Sequence, residues 1–222
     1  PKPQNPECMK IDEKINMNKL FSSAVIALIG STEAKFHWGG CPKVDYMQEF
    51  DKEAYAGQWY EIFRDRHNMY THHAECVTKE FGVSTDGAVD LYFRGLYDSH
   101  WWHGYSGVEG TMYNCGKSEH PNDWTCQATM GHHSKHLNPI KVFDTDYENY
   151  EISYGCWSFH GLFSASNLAI ASRETEMTQE MQQKVRDVIE EKLPHYNLDH
   201  GMHWTKQAEK GNCVYDWKFI KD

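Results

Sequence analysis

Between Gly57 and Arg173 bulky apolar and polar residues alternate in short runs broken by turn residues. "QWYEIFRD", "AECVTKEFGV", "AVDLYFRGLY", "GYSGVEGTMYN", "DWTCQATMG", "IKVFDTD", "YEISYGCW" and "SNLAIASR" are each rich in aromatic or β-branched residues, the pattern of half-buried strands. "STDG" (84–87) is a hairpin turn signal and "SEHPND" (118–123) a loop carrying Pro121. The near-regular spacing predicts an antiparallel sandwich or barrel. The period then changes: Met177, Met181, Val185, Val188, Ile189 and Leu193 form a helical stripe, with Thr175 or Thr178 to cap it and Pro194 to end it. One amphipathic helix with a single apolar stripe predicts packing on the outside of a sheet. "CVYDWKFI" near the C-terminus reads as one more short strand, and no repeat or linker interrupts the chain.

Composition narrows the function more than the fold. The 222 residues carry a net charge of −10 and no basic cluster, which argues against nucleic acid or an anionic lipid surface as partner. Residues 17–34, "MNKLFSSAVIALIGSTEA", read as a secretory signal: Lys19 before an apolar run, then Thr32 and Ala34 before a cut. Sixteen residues precede Met17, so a retained N-terminal helix is the alternative. The apolar run is shorter than the ~20 residues of a membrane-spanning helix, so no transmembrane segment is expected. Residues 1–34 are therefore read as an extension and 35–222 as one domain.

Of the seven cysteines, Cys8 lies in the extension and its pairing is open. The six others, Cys41, Cys76, Cys115, Cys126, Cys156 and Cys213, include no C-x-x-C pair. An even count without metal-ribbon spacing points to disulfides and a secreted or lumenal protein, although spacing alone leaves the pairing open. Histidines cluster at 72–73, 100–103, 132–136 and 200–203. The spacing of His132 and His136 would suit zinc only on a helix and that stretch reads as a loop, so surface and rim histidines are expected and no metal site. No G-x-S-x-G, H-E-x-x-H or phosphate-cradling glycine loop is present, so no catalytic residue is assigned.

Three separated segments carry a family resemblance. "GQWYEI" (57–62) resembles the G-x-W motif of lipocalins, "DTDYENYEISYGC" (144–156) their T-D-Y segment, and "LAIASR" (168–173) their third motif. The likeness is strongest to the apolipoprotein D and insect bilin-binding branch and covers roughly Cys41 to Cys213. It implies an all-β, eight-stranded up-and-down barrel with one C-terminal helix packed outside. It also implies a floor built by Gly57 and Trp59 with the Arg173 guanidinium on the indole ring. Cys41 should then bond Cys156 and Cys76 should bond Cys213, which leaves Cys115 and Cys126 to each other by elimination.

The resemblance further implies binding, transport or sequestration of a small hydrophobic ligand inside the barrel. Tyr92, Arg94, Val108, Trp157 and Asn167 are expected to line it, with Met69 and Tyr70 at the mouth. Arg94 and Asn167 are the polar anchors of that set. No cofactor is required; bound fatty acid, sterol, retinoid, carotenoid or tetrapyrrole all fit. Two alternatives stand beside this reading. "HHAECVTKEF" bears a loose similarity to violaxanthin de-epoxidases, which would make the chain an enzyme on an apolar substrate. The adjacent Trp101 and Trp102 suit either a hydrophobic mouth or a patch for homo-oligomer assembly.

Overall fold

The computed structural model describes residues 35–66, 68, 71–84, 87–100, 102–131, 135–194 and 196–219. The signal-like segment, Met69, Tyr70 and Trp101 lie outside the described residues.

Among the described residues eleven strands form one antiparallel sheet. They are β1 (Lys35–Trp38), β2 (Gly57–Asp65), β3 (Ala74–Val83), β4 (Val89–Ser99), β5 (Trp102–Tyr113), β6 (Cys126–Met130), β7 (Asn138–Ile140), β8 (Val142–Thr145), β9 (Tyr150–Phe159), β10 (Phe163–Ser172) and β11 (Met202–Trp204). The order runs β7-β6-β5-β4-β3-β2-β10-β9-β8, with β1 beside β10 and β11 beside β2. The two ends of that path, β7 and β8, are consecutive pieces of one strand interrupted at Lys141, so the sheet closes on itself through the chain. Counted by chain course the main path is an eight-stranded up-and-down barrel; the eight alternating segments are its strands. β1 and β11 are additions too short, at four and three residues, to show a period.

Closure is uneven. β2 pairs with β3 only from Gly57 to Tyr60, and beyond that the two strands part. The C-terminal segment fills the gap. β11 pairs with β2 from Phe63 to Asp65. Further on, Cys76 N–H donates to the Lys206 carbonyl at 2.9 Å. Gln207 Nε2 donates to the carbonyls of both Glu61 and Val77 at 2.8 Å, bridging the parted strands. These bonds satisfy backbone groups that a missing ladder would leave orphaned.

One end of the barrel is shut. Gly57 has φ +110°, a left-handed conformation that favours glycine, and it turns the chain from the short helix α1 (Lys52–Tyr55) into β2. Trp59 is fully buried there, its indole N–H donating to the Tyr55 carbonyl at 2.9 Å. The Arg173 guanidinium lies 3.7 Å from the centre of the Trp59 ring. It donates to the carbonyls of Ala54, Tyr55, Gln58 and Tyr147 at 3.0–3.3 Å. One side chain thus ties together α1, β2 and the turn before β9.

Outside, helix α2 (Gln179–Lys192) starts at Thr178, whose hydroxyl accepts from Met181 N–H. It buries Val185 and Ile189 against Phe143, Tyr150, Ile152, Tyr154, Leu168 and Ile170 of β8–β10. The turn beneath it is built on Asp146, which accepts from the backbone N–H of Asn149 and Tyr150 and from Lys184. Burial pushes this carboxyl up, but the Asn149 amides, Lys184 and the Tyr150 amide outweigh it and hold it near 2 instead of 3.8. A depressed folded pKa contributes stability that is present above about 3.8 and lost as pH falls towards 2. An acid titration followed by circular dichroism should therefore show a shallower loss of stability in that window for Asp146→Asn than for the wild type.

Over residues 213–219 the expected C-terminal strand at "CVYDWKFI" is instead a strap without strand pairing. Tyr215 and Trp217 pack on Tyr60, and the buried Glu80 carboxylate accepts from the backbone N–H of Lys218 and Phe219 at 2.6 and 2.7 Å. Three disulfides join Cys41 to Cys156, Cys76 to Cys213 and Cys115 to Cys126. The second anchors the strap to β3. No helix among the described residues is long and apolar enough to cross a membrane.

Candidate functional site

Which face looks inward is settled by the lower core. Trp59, Phe81, Val89, Leu91, Met112, Ala128, Val142 and Ala171 come from strands all round the sheet and meet in one cluster. Only an interior allows that. Alternation then carries the inward face upwards along each strand. On β4 it runs through Leu91, Phe93 and Tyr97; on β5 Val108 faces in, opposite Phe93. On β9 the inward residues are Glu151, Ser153, Gly155 and Trp157, because Ile152 and Tyr154 face helix α2. Across from them on β10 stand Ala171, Ala169, Asn167 and Ala165.

Val108, Trp157 and Asn167 therefore line the lumen. Val108 is 37% exposed and Trp157 59% exposed although both point inward, so the upper half is open to solvent. A Cβ built on Gly155 meets no atom within 4 Å, which makes the space beside Asn167 empty of protein. The Asn167 amide has no hydrogen-bond partner among the described residues. At the rim Trp157, Phe159 and Phe163 pack together, with ring centres 5.2–6.3 Å apart.

Tyr92 and Arg94 are a correction. They share a face, but it is the outer one, in register with Glu80 and Thr78 under the C-terminal strap. Arg94 lies 3.9 Å from the Tyr105 ring centre and donates to the Val214 carbonyl at 2.7 Å. Tyr92 carries the Lys218 ammonium 5.6 Å from its ring centre. Both hold the strap, and neither reaches the lumen.

The sequence reading missed the charged residues inside. Lys79 and Glu151 are inward-facing and form an ion pair, with Glu151 fully buried. Glu151 also accepts from the Tyr55 hydroxyl at 3.2 Å and from Ser153 at 2.9 Å. Burial, and then the Glu151 charge, push the Tyr55 phenol well up. Nearer the mouth, Glu61 and Arg64 form a second buried pair at 2.8 Å, joined by Thr205. A signal was available: Lys79 stands two before Phe81 and Glu61 two after Trp59, on the face the aromatics mark as inward.

The histidines sort differently. His72, His73, His100, His136 and His160 lie on connections at the open end, and His103 and His203 pair with Asp98 and Glu75. Among the described residues no group of three His, Cys, Asp or Glu is placed to hold a metal ion. A further concavity of about 520 Å³ lies outside the barrel, beside Trp38, Tyr154, Leu193 and Tyr196.

A closed antiparallel barrel with an external helix, a shut floor and an open mouth is matched at the level of sequence. The family model described as lipocalin / cytosolic fatty-acid binding protein matches residues 56–199. The chain belongs to that family. This lipocalin is 26% identical over 180 residues to apolipoprotein D of Cavia porcellus, covering 79% of this chain and 88% of the relative. It is 27% identical over 133 residues to a bilin-binding protein of Pieris brassicae, covering 60% of this chain and 66% of that protein. In fold it resembles insecticyanin from the tobacco hornworm Manduca sexta, with a TM-score of 0.65 at 18% identity over 80% of this chain and 92% of that one.

Proposed function

We propose that this lipocalin binds one small hydrophobic molecule in the upper lumen and carries or sequesters it unchanged, in an oxidising compartment. The single observation that carries the reading is inward-facing apolar surface left exposed above a packed floor: Val108 and Trp157 are open while Trp59, Phe81 and Leu91 are sealed. Transfer of a ligand's apolar surface from water into that space contributes ~25 cal/mol per Å² before the costs of association. In this reading Trp157 supplies an aromatic wall and Asn167 a polar contact that orients the ligand.

No covalent step is part of the proposal. The buried carboxylates Glu151 and Glu61 are each occupied by a cation and a hydroxyl, which supports structural roles over acid–base work. Three disulfides support an extracellular or lumenal setting. The bilin-binding relative favours a pigment such as a tetrapyrrole within the wider set of apolar ligands.

Purification from the native source, followed by an absorption spectrum and mass spectrometry of an organic extract, tests the reading. A stoichiometric small apolar molecule is expected in the extract, with visible colour if it is a pigment. An empty extract, together with no saturable quenching of tryptophan fluorescence by added retinol or Nile red, would overturn it.

A further inference from the structure

Lys79 sits on β3 and Glu151 on β9, and in the sheet β2 and β10 lie between those strands. Their contact therefore does not follow the sheet; it crosses the lumen as a bar above the Trp59 floor. Two apolar residues of the same volume would stabilise a barrel as well or better, so stability does not explain a charged pair at this place. The bar has a direction. Glu151 is closed off: Lys79 occupies Oε1, while Tyr55 and Ser153 occupy Oε2, and nothing of it is exposed.

Lys79 is not closed off. Its ammonium has three N–H groups and two acceptors, Glu151 and the Ser153 hydroxyl at 3.3 Å. Its side chain remains 13% exposed, and since it points inward that exposure is to the lumen. One charged donor thus looks up into the space bounded by Phe93, Val108 and Asn167.

We infer that the Lys79 ammonium is the specificity-determining contact for the ligand's leading end, selecting apolar molecules that end in a neutral hydrogen-bond acceptor such as a ketone or ester carbonyl. This rests on the lumen being the binding site. A hydrocarbon end leaves the third N–H unmade. A carboxylate end adds a net negative charge to a site where Glu151 already neutralises Lys79 and Glu61 neutralises Arg64. Enclosing that uncompensated ion costs more than one hydrogen bond returns. A neutral acceptor makes the charge-assisted bond and leaves the balance intact.

Displacement of Nile red by 2-tridecanone, tridecane and tridecanoic acid tests this with the whole chain at neutral pH. The ketone should displace the dye at a concentration about tenfold or more below that needed for the alkane or the acid. In Lys79→Met/Glu151→Gln, which removes both charges together, the ketone and alkane should become equivalent while Nile red still binds. Equal displacement by all three in the wild type, or strongest displacement by the acid, would overturn the inference with the lumen reading intact. Failure of both Nile red and retinol to bind, with an empty native extract, would instead overturn the lumen reading and this inference with it. The wild-type comparison decides the matter without the variant.

Discussion

Replacing Arg173 with alanine should lower the free energy of unfolding by about 3 kcal/mol or more, and replacing it with lysine should recover less than half of that loss. The cation on the Trp59 ring accounts for ~0.5–2 kcal/mol. The larger part comes from the carbonyls of Ala54, Gln58 and Tyr147, which lose the guanidinium donor at the barrel floor, while the Tyr55 carbonyl keeps only its bond from the Trp59 indole. Lysine keeps the charge, but its compact ammonium cannot match the planar fork that spans those groups. Against a domain stability of about 5–15 kcal/mol this is a large fraction. Urea midpoints of the wild type and the two variants check it. A lysine variant as stable as the wild type would show that charge on the indole, and not the carbonyl clamp, holds the floor.

The second large effect belongs to the strap. Cys76→Ser/Cys213→Ser should cost about 2–5 kcal/mol, since the bond closes a loop of 137 residues in sequence separation. It should also speed ligand release, which is a separate consequence. The seam between β2 and β3 is closed beyond Tyr60 by β11, Lys206 and Gln207, and the disulfide pins the segment that follows them. A freed strap exposes that seam. Stopped-flow release of Nile red should be several times faster in the double variant or in reductant-treated protein. Unchanged release with lowered stability would separate the strap's anchoring role from any role in retention.

The eight barrel strands and the helix were legible because burial on one face imposes a period, and the periods of 2 and 3.6 are distinguishable over ten residues. Trp59 with Arg173 was legible through the family motifs. The orientation of β4 was not. Alternation says that Tyr92 and Arg94 share a face; it does not say which face is inside. The plain pattern, with Val89, Leu91 and Phe93 apolar and Asp90, Tyr92 and Arg94 polar, points to the orientation the structure has. The resemblance overrode it. What makes an outward Tyr92 and Arg94 comfortable is a strap more than a hundred residues away in sequence, and no local pattern encodes that contact. The Lys79–Glu151 bar was hidden for the same reason: each half reads as a surface charge until the barrel closes and brings the two strands face to face.

Gly155 offers the most direct test. It faces the lumen, has room for a side chain, and is not held in a left-handed conformation. Gly155→Trp should fold with wild-type circular dichroism and an unchanged thermal midpoint, yet lose saturable Nile red binding in a fluorescence titration. Retention of wild-type affinity by a folded Gly155→Trp would mean that apolar molecules bind this chain somewhere other than inside its barrel.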